Sequence, residues 1–145
     1  MKKDVMLEIR GIQNIDGESD VVELTTKGEF SKTRGNYYIR YKESELTGME
    51  NVTTVLKVEG DRRVTLTRSG SMRSQLIVEK GARHQCLYDM GFDSWVIGVI
   101  GASIEPKLND NGGNLSFRYT LDINTAVTSE HEVSINIREA GIPNA

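Results

Sequence analysis

Arg68 is the residue whose type and position most suggest chemistry, because it continues the apolar face of a predicted strand. Val64 and Leu66 alternate with threonines, and a period of two is typical of a strand with one buried face. Arg68 follows on that same face, just before a Ser-Gly turn. A buried guanidinium must be paired or hydrogen-bonded. Two roles are therefore open for Arg68: a structural clamp at one end of the fold, or a contact for the anionic group of a bound molecule.

His84 and Cys86 form the second set of residues with chemical potential. They lie two apart, so on a strand they share a face and could bind a metal, but such a site needs one or two more ligands. The only other histidine, His131, is far along the chain. A nucleophile-base pair of Cys86 and His131 would depend on the fold, and neither residue has an activating neighbour in sequence. We therefore predict no metal, no cofactor and no enzymatic activity, with a lining histidine and a buried thiol as the ordinary interpretation.

A cluster of arginines lies in or beside the central three predicted strands. Arginine suits carboxylate or phosphate recognition, and nearby tyrosines could add stacking on nucleobases. The ordinary alternative is a solvated face paired with the plentiful Asp and Glu. A net charge of −3 gives no global attraction to nucleic acid or to anionic membranes, so we expect neither as a partner. The arginines concerned are Arg62, Arg63, Arg68, Arg73 and Arg83.

Length and composition predict one globular domain over residues 1–145. The longest near-continuous apolar run, residues 95–102, is too short to span a bilayer, and the N-terminus lacks the apolar core of a signal peptide. A single cysteine excludes an internal disulfide. These features favour a cytoplasmic location.

The elements that must position these residues are predicted to be strands joined by tight turns. Residues 92–103 could form a buried helix, but Gly98, Gly101 and the β-branched content favour one or two strands. Gly28 predicts a bulge or sharp bend. Residues 44–50 are the least strand-like segment and predict a loop or a single helical turn. The predicted strands are residues 4–13, 20–30, 37–43, 51–59, three within 63–88, 92–103, 104–109, 114–124 and 130–138.

This succession of hairpins predicts an all-β fold. Closing so many antiparallel strands into one sheet removes the exposed edges that would otherwise pair with other chains. We therefore predict a closed antiparallel up-and-down β-barrel of about 8–10 strands.

The chain resembles the YwiB-like bacterial family of unknown function. The resemblance rests on the order of TTVLKV at residues 53–58, LTRSG at residues 66–70, a strand ended by Gly81, and then Tyr88 with a nearby Gly91. It implies a cytoplasmic, closed, lipocalin-like barrel of the calycin type and no established activity. The chain departs from the family where an apolar or aromatic strand is expected after Gly81, since it has Arg83, His84 and Cys86 there.

The first function that we predict is binding of a small molecule in the barrel. Barrels of about eight strands can enclose one small ligand. The predicted inward positions mix small residues with leucine and valine, which permits a cavity without requiring one. The small residues are Ser74, Thr54, Thr26 and Gly98. The predicted polar contacts to a ligand with an anionic group are Arg68, Tyr88, His84 and Tyr37.

The alternative is a filled barrel that acts as a structural or interaction protein, as a homodimer. Its mark would be an exposed apolar patch on the outer face of the sheet. Met6, Ile77, Trp95 and Ile97 are the candidates for that patch.

Overall fold

Ten β-strands make up almost all of the structure, a computed structural model that describes residues 1–44, 50–89, 94–123 and 126–140. No helix in these ranges is long and apolar enough to cross a bilayer. The loop predicted at residues 44–50 falls largely on residues 45–49, outside the described residues. The strands are β1 Lys2–Ile15, β2 Glu18–Thr33, β3 Asn36–Lys42, β4 Val52–Glu59, β5 Arg63–Gly70, β6 Arg73–Glu79, β7 Arg83–Asp89, β8 Ser94–Asn109, β9 Gly112–Ile123 and β10 Ala126–Glu139.

Each strand pairs antiparallel with its sequence neighbours, and β1 pairs with both β2 and β10, so that the sheet closes into a barrel. The predicted all-β, closed up-and-down barrel is confirmed. Alternation of apolar and polar residues places one face of each strand inside. In β4, for example, Val52, Thr54, Leu56 and Val58 are all buried. Closure pairs the edges of the terminal strands, which protects them from pairing with other chains.

The two ends of the barrel differ in their packing. We call the end with the turns at Asp16-Gly17 and Ser71-Met72 the mouth, and the opposite end the closed end. The closed end is filled by side chains: Phe30 is fully buried and stacks on Tyr37 with ring centroids 5.0 Å apart. The Tyr37 hydroxyl donates to the Asp110 carboxylate at 2.8 Å, which ties β3 to the turn after β8.

Strand β8 differs from the prediction in its extent and in the faces of its residues. The predicted strands 92–103 and 104–109 are, over the described residues, one continuous strand with a β-bulge between Gly101 and Ser103. The predicted faces of this strand were wrong. Ile97 points inward and is buried, while Gly98 lies on the outer face, where the Arg83 guanidinium and the Asp122 carboxylate cover it.

Gly28 does not form the predicted bulge, because the register of β2 with β1 runs through it without a shift. A Cβ at this position would lie 2.6 Å from Leu7 Cδ1 and 2.6 Å from the Arg40 carbonyl oxygen. The glycine therefore allows Leu7 and the β3 backbone to approach β2 closely, which a larger residue would prevent.

Candidate ligand-binding site

A cavity of about 210 Å³ lies inside the mouth of the barrel. Its apolar walls include Leu24, Leu56, Leu66 and Ile135 from four different strands. At the rim stands Asp20, which is exposed to solvent. Phe30 and Tyr37 fill the closed end, whereas Gly11 puts no side chain into the wall of the cavity.

The polar centre of the cavity is Arg68 with Glu43. Both side chains are largely buried, with exposed fractions of 15% for Arg68 and 2% for Glu43. Arg68 Nε lies 3.8 Å from Glu43 Oε2, which is an ion pair but too long for a hydrogen bond. The Thr54 hydroxyl donates to the same Glu43 oxygen at 2.6 Å. Arg68 Nε is buried and has no hydrogen-bond partner among the described residues.

Tyr41 supplies a further neutral group beside this pair. Burial, followed by the charge of the nearby Glu43 carboxylate, raises the pKa of the Tyr41 phenol. Its hydroxyl therefore stays protonated at neutral pH. The same holds for Tyr119, whose pKa is raised by burial although the Arg68 charge opposes the shift. Two protonated phenols thus stand near the guanidinium in a mostly apolar chamber.

His131 completes the polar lining from β10. Its ring stacks on Tyr119 with centroids 4.9 Å apart and an interplanar angle of 5°. One ring nitrogen, Nε2, lies 2.8 Å from the Ser129 hydroxyl. Burial, and secondly the positive charge of Arg68, lower the pKa of His131 to about 4. His131 is therefore neutral at physiological pH, and Arg68 is the permanent positive charge of the cavity.

The lowered pKa of His131 predicts that the barrel loses stability as the pH falls from 7 to 5. The unfolded chain, with an ordinary histidine pKa, takes up a proton in this window, whereas the folded state does not until about pH 4. Because His131 is only partly buried, we expect a loss of roughly 1 to 2 kcal/mol in the free energy of unfolding. The measurement is urea unfolding at both pH values, compared with His131→Gln, which removes this part of the pH dependence. An equal pH dependence in the variant would contradict the assignment.

The four residues predicted from the sequence to contact a ligand are not brought together. Arg68 lines the cavity. Tyr88 pairs with Ser74 near the mouth and packs against the core, but is not part of the described lining. His84 lies beside Glu79, with 3.5 Å between Nε2 and Oε1, and Tyr37 belongs to the closed end. Ligand binding by any of the four stays a prediction.

Glu43, Tyr119 and His131 line the cavity and were missed by the sequence analysis. A signal for Glu43 was present, because it continues the face of Ile39 and Tyr41. Comparable signals exist for the other two, because Tyr119 continues the face of Leu115 and Phe117 and His131 that of Val133 and Ile135. Only the pairing of β9 with β10 shows that the two rings lie side by side.

The other sequence-predicted groups have structural partners. The thiol of Cys86 is buried and accepts from the Ile77 N–H at 3.5 Å, and burial raises its pKa, which disfavours the reactive thiolate. In the described part of the chain no three His, Cys, Asp or Glu side chains are grouped to hold a metal ion.

Arg63 binds Glu59 through two nitrogens, at 3.1 and 2.7 Å, and Arg83 binds Asp122 in the same way at 3.0 and 2.7 Å. Arg63 and Arg83 are thus paired with acidic side chains, as the ordinary interpretation of the arginine cluster predicts.

The fold and the site together define a ten-stranded β-barrel protein that is packed at one end and holds a cavity at the other. The chain belongs to the family described as "Domain of unknown function (DUF1934)", which matches residues 7–135. It is 26% identical over 132 residues, or 90% of each chain, to the "Uncharacterized beta-barrel protein YwiB" of Bacillus subtilis (strain 168). The family resemblance found in the sequence is thereby confirmed.

The same fold occurs in the crystal structure of the ywiB protein from Bacillus subtilis. The TM-score is 0.84 at 22% sequence identity, covering 96% of this chain and 93% of that chain. The similarity supports the closed barrel from β1 to β10. None of these descriptions states an activity, so a proposal for function must come from the site itself.

Proposed function

We propose that this protein binds a small organic molecule in the mouth cavity and places an anionic or other strongly accepting group of that molecule against Arg68. One observation carries the proposal: Arg68 lines a cavity with apolar walls, and its buried Nε has no hydrogen-bond partner among the described residues. A buried N–H without an acceptor costs roughly 1 to 3 kcal/mol. A ligand oxygen at this position would recover that free energy.

Glu43 does not meet this need. Its carboxylate lies beyond hydrogen-bond distance of Arg68 Nε and already accepts from the Thr54 hydroxyl. Glu43 therefore offsets the charge of Arg68 without satisfying its N–H. The protonated Tyr119 phenol adds a neutral donor near the same place, whereas the Tyr41 hydroxyl is already hydrogen-bonded to Glu43. A carboxylate or phosphate oxygen is the partner that arginine and such donors together favour.

The volume of the cavity limits the size of the ligand. About 210 Å³ is below the roughly 300–1,000 Å³ of pockets for drug-sized molecules. The leucine and isoleucine walls favour a compact apolar body. We therefore expect a short-chain or aromatic acid rather than a long-chain lipid, and binding rather than catalysis.

Native mass spectrometry of the protein purified from its own host is the first test. We expect a stoichiometric small molecule that leaves on denaturation and that carries an acidic group. A protein that is empty and has twice the chain mass would overturn the proposal in favour of a dimeric interaction module.

Titration with benzoate and hexanoate, followed by protein NMR, tests the role of Arg68 directly. We expect saturable shifts at cavity residues, and weaker binding of benzyl alcohol and hexanol, which lack the anionic group. Arg68→Lys keeps the charge but removes the guanidinium donors, and should weaken acid binding at least about tenfold. Arg73→Lys is the matched control, since Arg73 lies exposed near the same end of the barrel. Equal binding by all three proteins would contradict the proposal.

A further inference from the structure

Exposed apolar side chains are concentrated at the mouth of the barrel. Nine large hydrophobic residues are exposed in the described part of the chain, and all except Met1 and Ile100 lie at this end. Trp95 and Val96 begin β8, with exposed fractions of 49% and 60%, and Leu87 pairs directly with Val96 from β7. The remaining members are Ile15, Val21, Val22 and Val127.

These residues follow the strand order around the rim. Leu87 and Val96 lie on β7 and β8, Val127 on β10, and Ile15 and Val21 on the hairpin of β1 and β2, so that the set spans the arc from β7 through β10 to β2. Core packing does not require exposed apolar residues at one end. A surface of this kind on a folded protein marks an interaction site. We call this arc the mouth rim.

The mouth rim also carries uncompensated negative charge. Five exposed carboxylates lie on the β1–β2 hairpin and in the first half of β10, and none of them forms an ion pair with another described residue, although Glu132 lies opposite Arg118 in the strand register. By contrast, carboxylates nearer the closed end, such as Glu59 and Glu139, are paired with lysine or arginine. The five are Asp16, Glu18, Asp20, Glu130 and Glu132.

We propose that the mouth rim is a docking surface for a polypeptide segment of another protein that presents apolar side chains together with lysine or arginine. The apolar arc would bury the hydrophobic side chains of the segment, and the unpaired carboxylates would meet its basic groups. Such complementarity steers association and excludes partners of the same charge. Asp20, Val22 and Glu132 belong both to the mouth rim and to the lining of the Arg68 cavity, so the docking surface borders that cavity.

The charge pattern argues against two other occupants. Two copies of this chain meeting mouth to mouth would bring ten unpaired carboxylates together, counting five on each copy. An anionic bilayer would be repelled by the same groups. A basic amphipathic segment is the occupant that the apolar and the acidic residues both favour.

The test uses Trp95, the only tryptophan of the chain, as a reporter at the rim. The probe is a short synthetic peptide of leucine and lysine, and the matched peptides replace lysine with glutamate or leucine with serine. We expect a saturable change in Trp95 emission with the leucine–lysine peptide alone. Leu87→Ser with Val96→Ser should raise its Kd at least about tenfold. Ile100→Ser, on the outer face of β8 away from the mouth, should leave the Kd unchanged, and circular dichroism checks that every variant is folded.

Charge reversal gives a second, independent readout. Glu18→Lys with Glu130→Lys should weaken binding of the leucine–lysine peptide. The binding that remains should be less sensitive to salt than the binding of the parent protein. Equal binding of all three peptides, or an equal loss in Ile100→Ser, would overturn the proposal. Self-association in sedimentation that is lost in the Leu87→Ser, Val96→Ser variant would also overturn the proposal. Binding to phosphatidylglycerol vesicles that is lost in the same variant would do so as well.

Discussion

Replacement of Arg68 by methionine is expected to destabilise the barrel by about 3 kcal/mol, because it leaves the Glu43 carboxylate in the interior without its counter-ion. The Glu43 side chain is only 2% exposed, and its other partners are the neutral hydroxyls of Thr54 and Tyr41. Removal of one member of a buried ion pair is strongly destabilising even where the pair itself adds little net stability. Urea unfolding followed by circular dichroism measures the loss.

The double variant Arg68→Met with Glu43→Gln is the control for this prediction. It removes both charges, so most of the stability should return, and the coupling between the two positions can be read from the cycle of single and double variants. Full stability in Arg68→Met alone would show that Arg68 is no structural clamp and would leave ligand contact as its role. A loss that the double variant does not recover would contradict the ion-pair explanation.

Replacement of Gly101 by alanine is expected to destabilise the barrel by roughly 2 to 3 kcal/mol. An added Cβ would lie 2.4 Å from the Glu79 carbonyl oxygen and 2.6 Å from its carbon, which are backbone atoms that cannot rotate away. At this point the Gly81 N–H donates to the Gly101 carbonyl at 3.1 Å, and an isolated bridge joins Lys80 to Gly101. The alanine would push β8 away from the end of β6 and break these contacts.

Gly11→Ala is the matched control for Gly101. Gly11 also lies in an extended strand, but a Cβ there would meet nothing within 4 Å. Reduced freedom of the unfolded chain should then make Gly11→Ala neutral or stabilising by up to about 1 kcal/mol. Thermal and urea unfolding of both variants measure the difference. Equal effects at the two positions would mean that close approach at Gly101 is not what makes glycine necessary.

The fold was predictable because it follows from local regularities. Alternation with a period of two defines the inner face of strands such as β4 and β5, and correctly placed Arg68 beside Val64 and Leu66. The faces of β8 were misassigned because this strand has apolar residues on both sides, so its alternation carries little information. There the pairing of Cys86 with Ile97, and of Gly98 with Asp122, establishes the faces.

The sequence analysis predicted only one residue of the candidate site, Arg68. Glu43, Arg68, Tyr119 and His131 are separated by long stretches of chain, and they come together because barrel closure brings β3, β5, β9 and β10 around one cavity. The number of hairpins and the alternation along each strand were enough to predict a closed antiparallel barrel with an arginine on an inner face. Which end is filled, which carboxylate faces Arg68 and where the mouth rim lies depend on strand register around the whole barrel, so they could be read only from the structure.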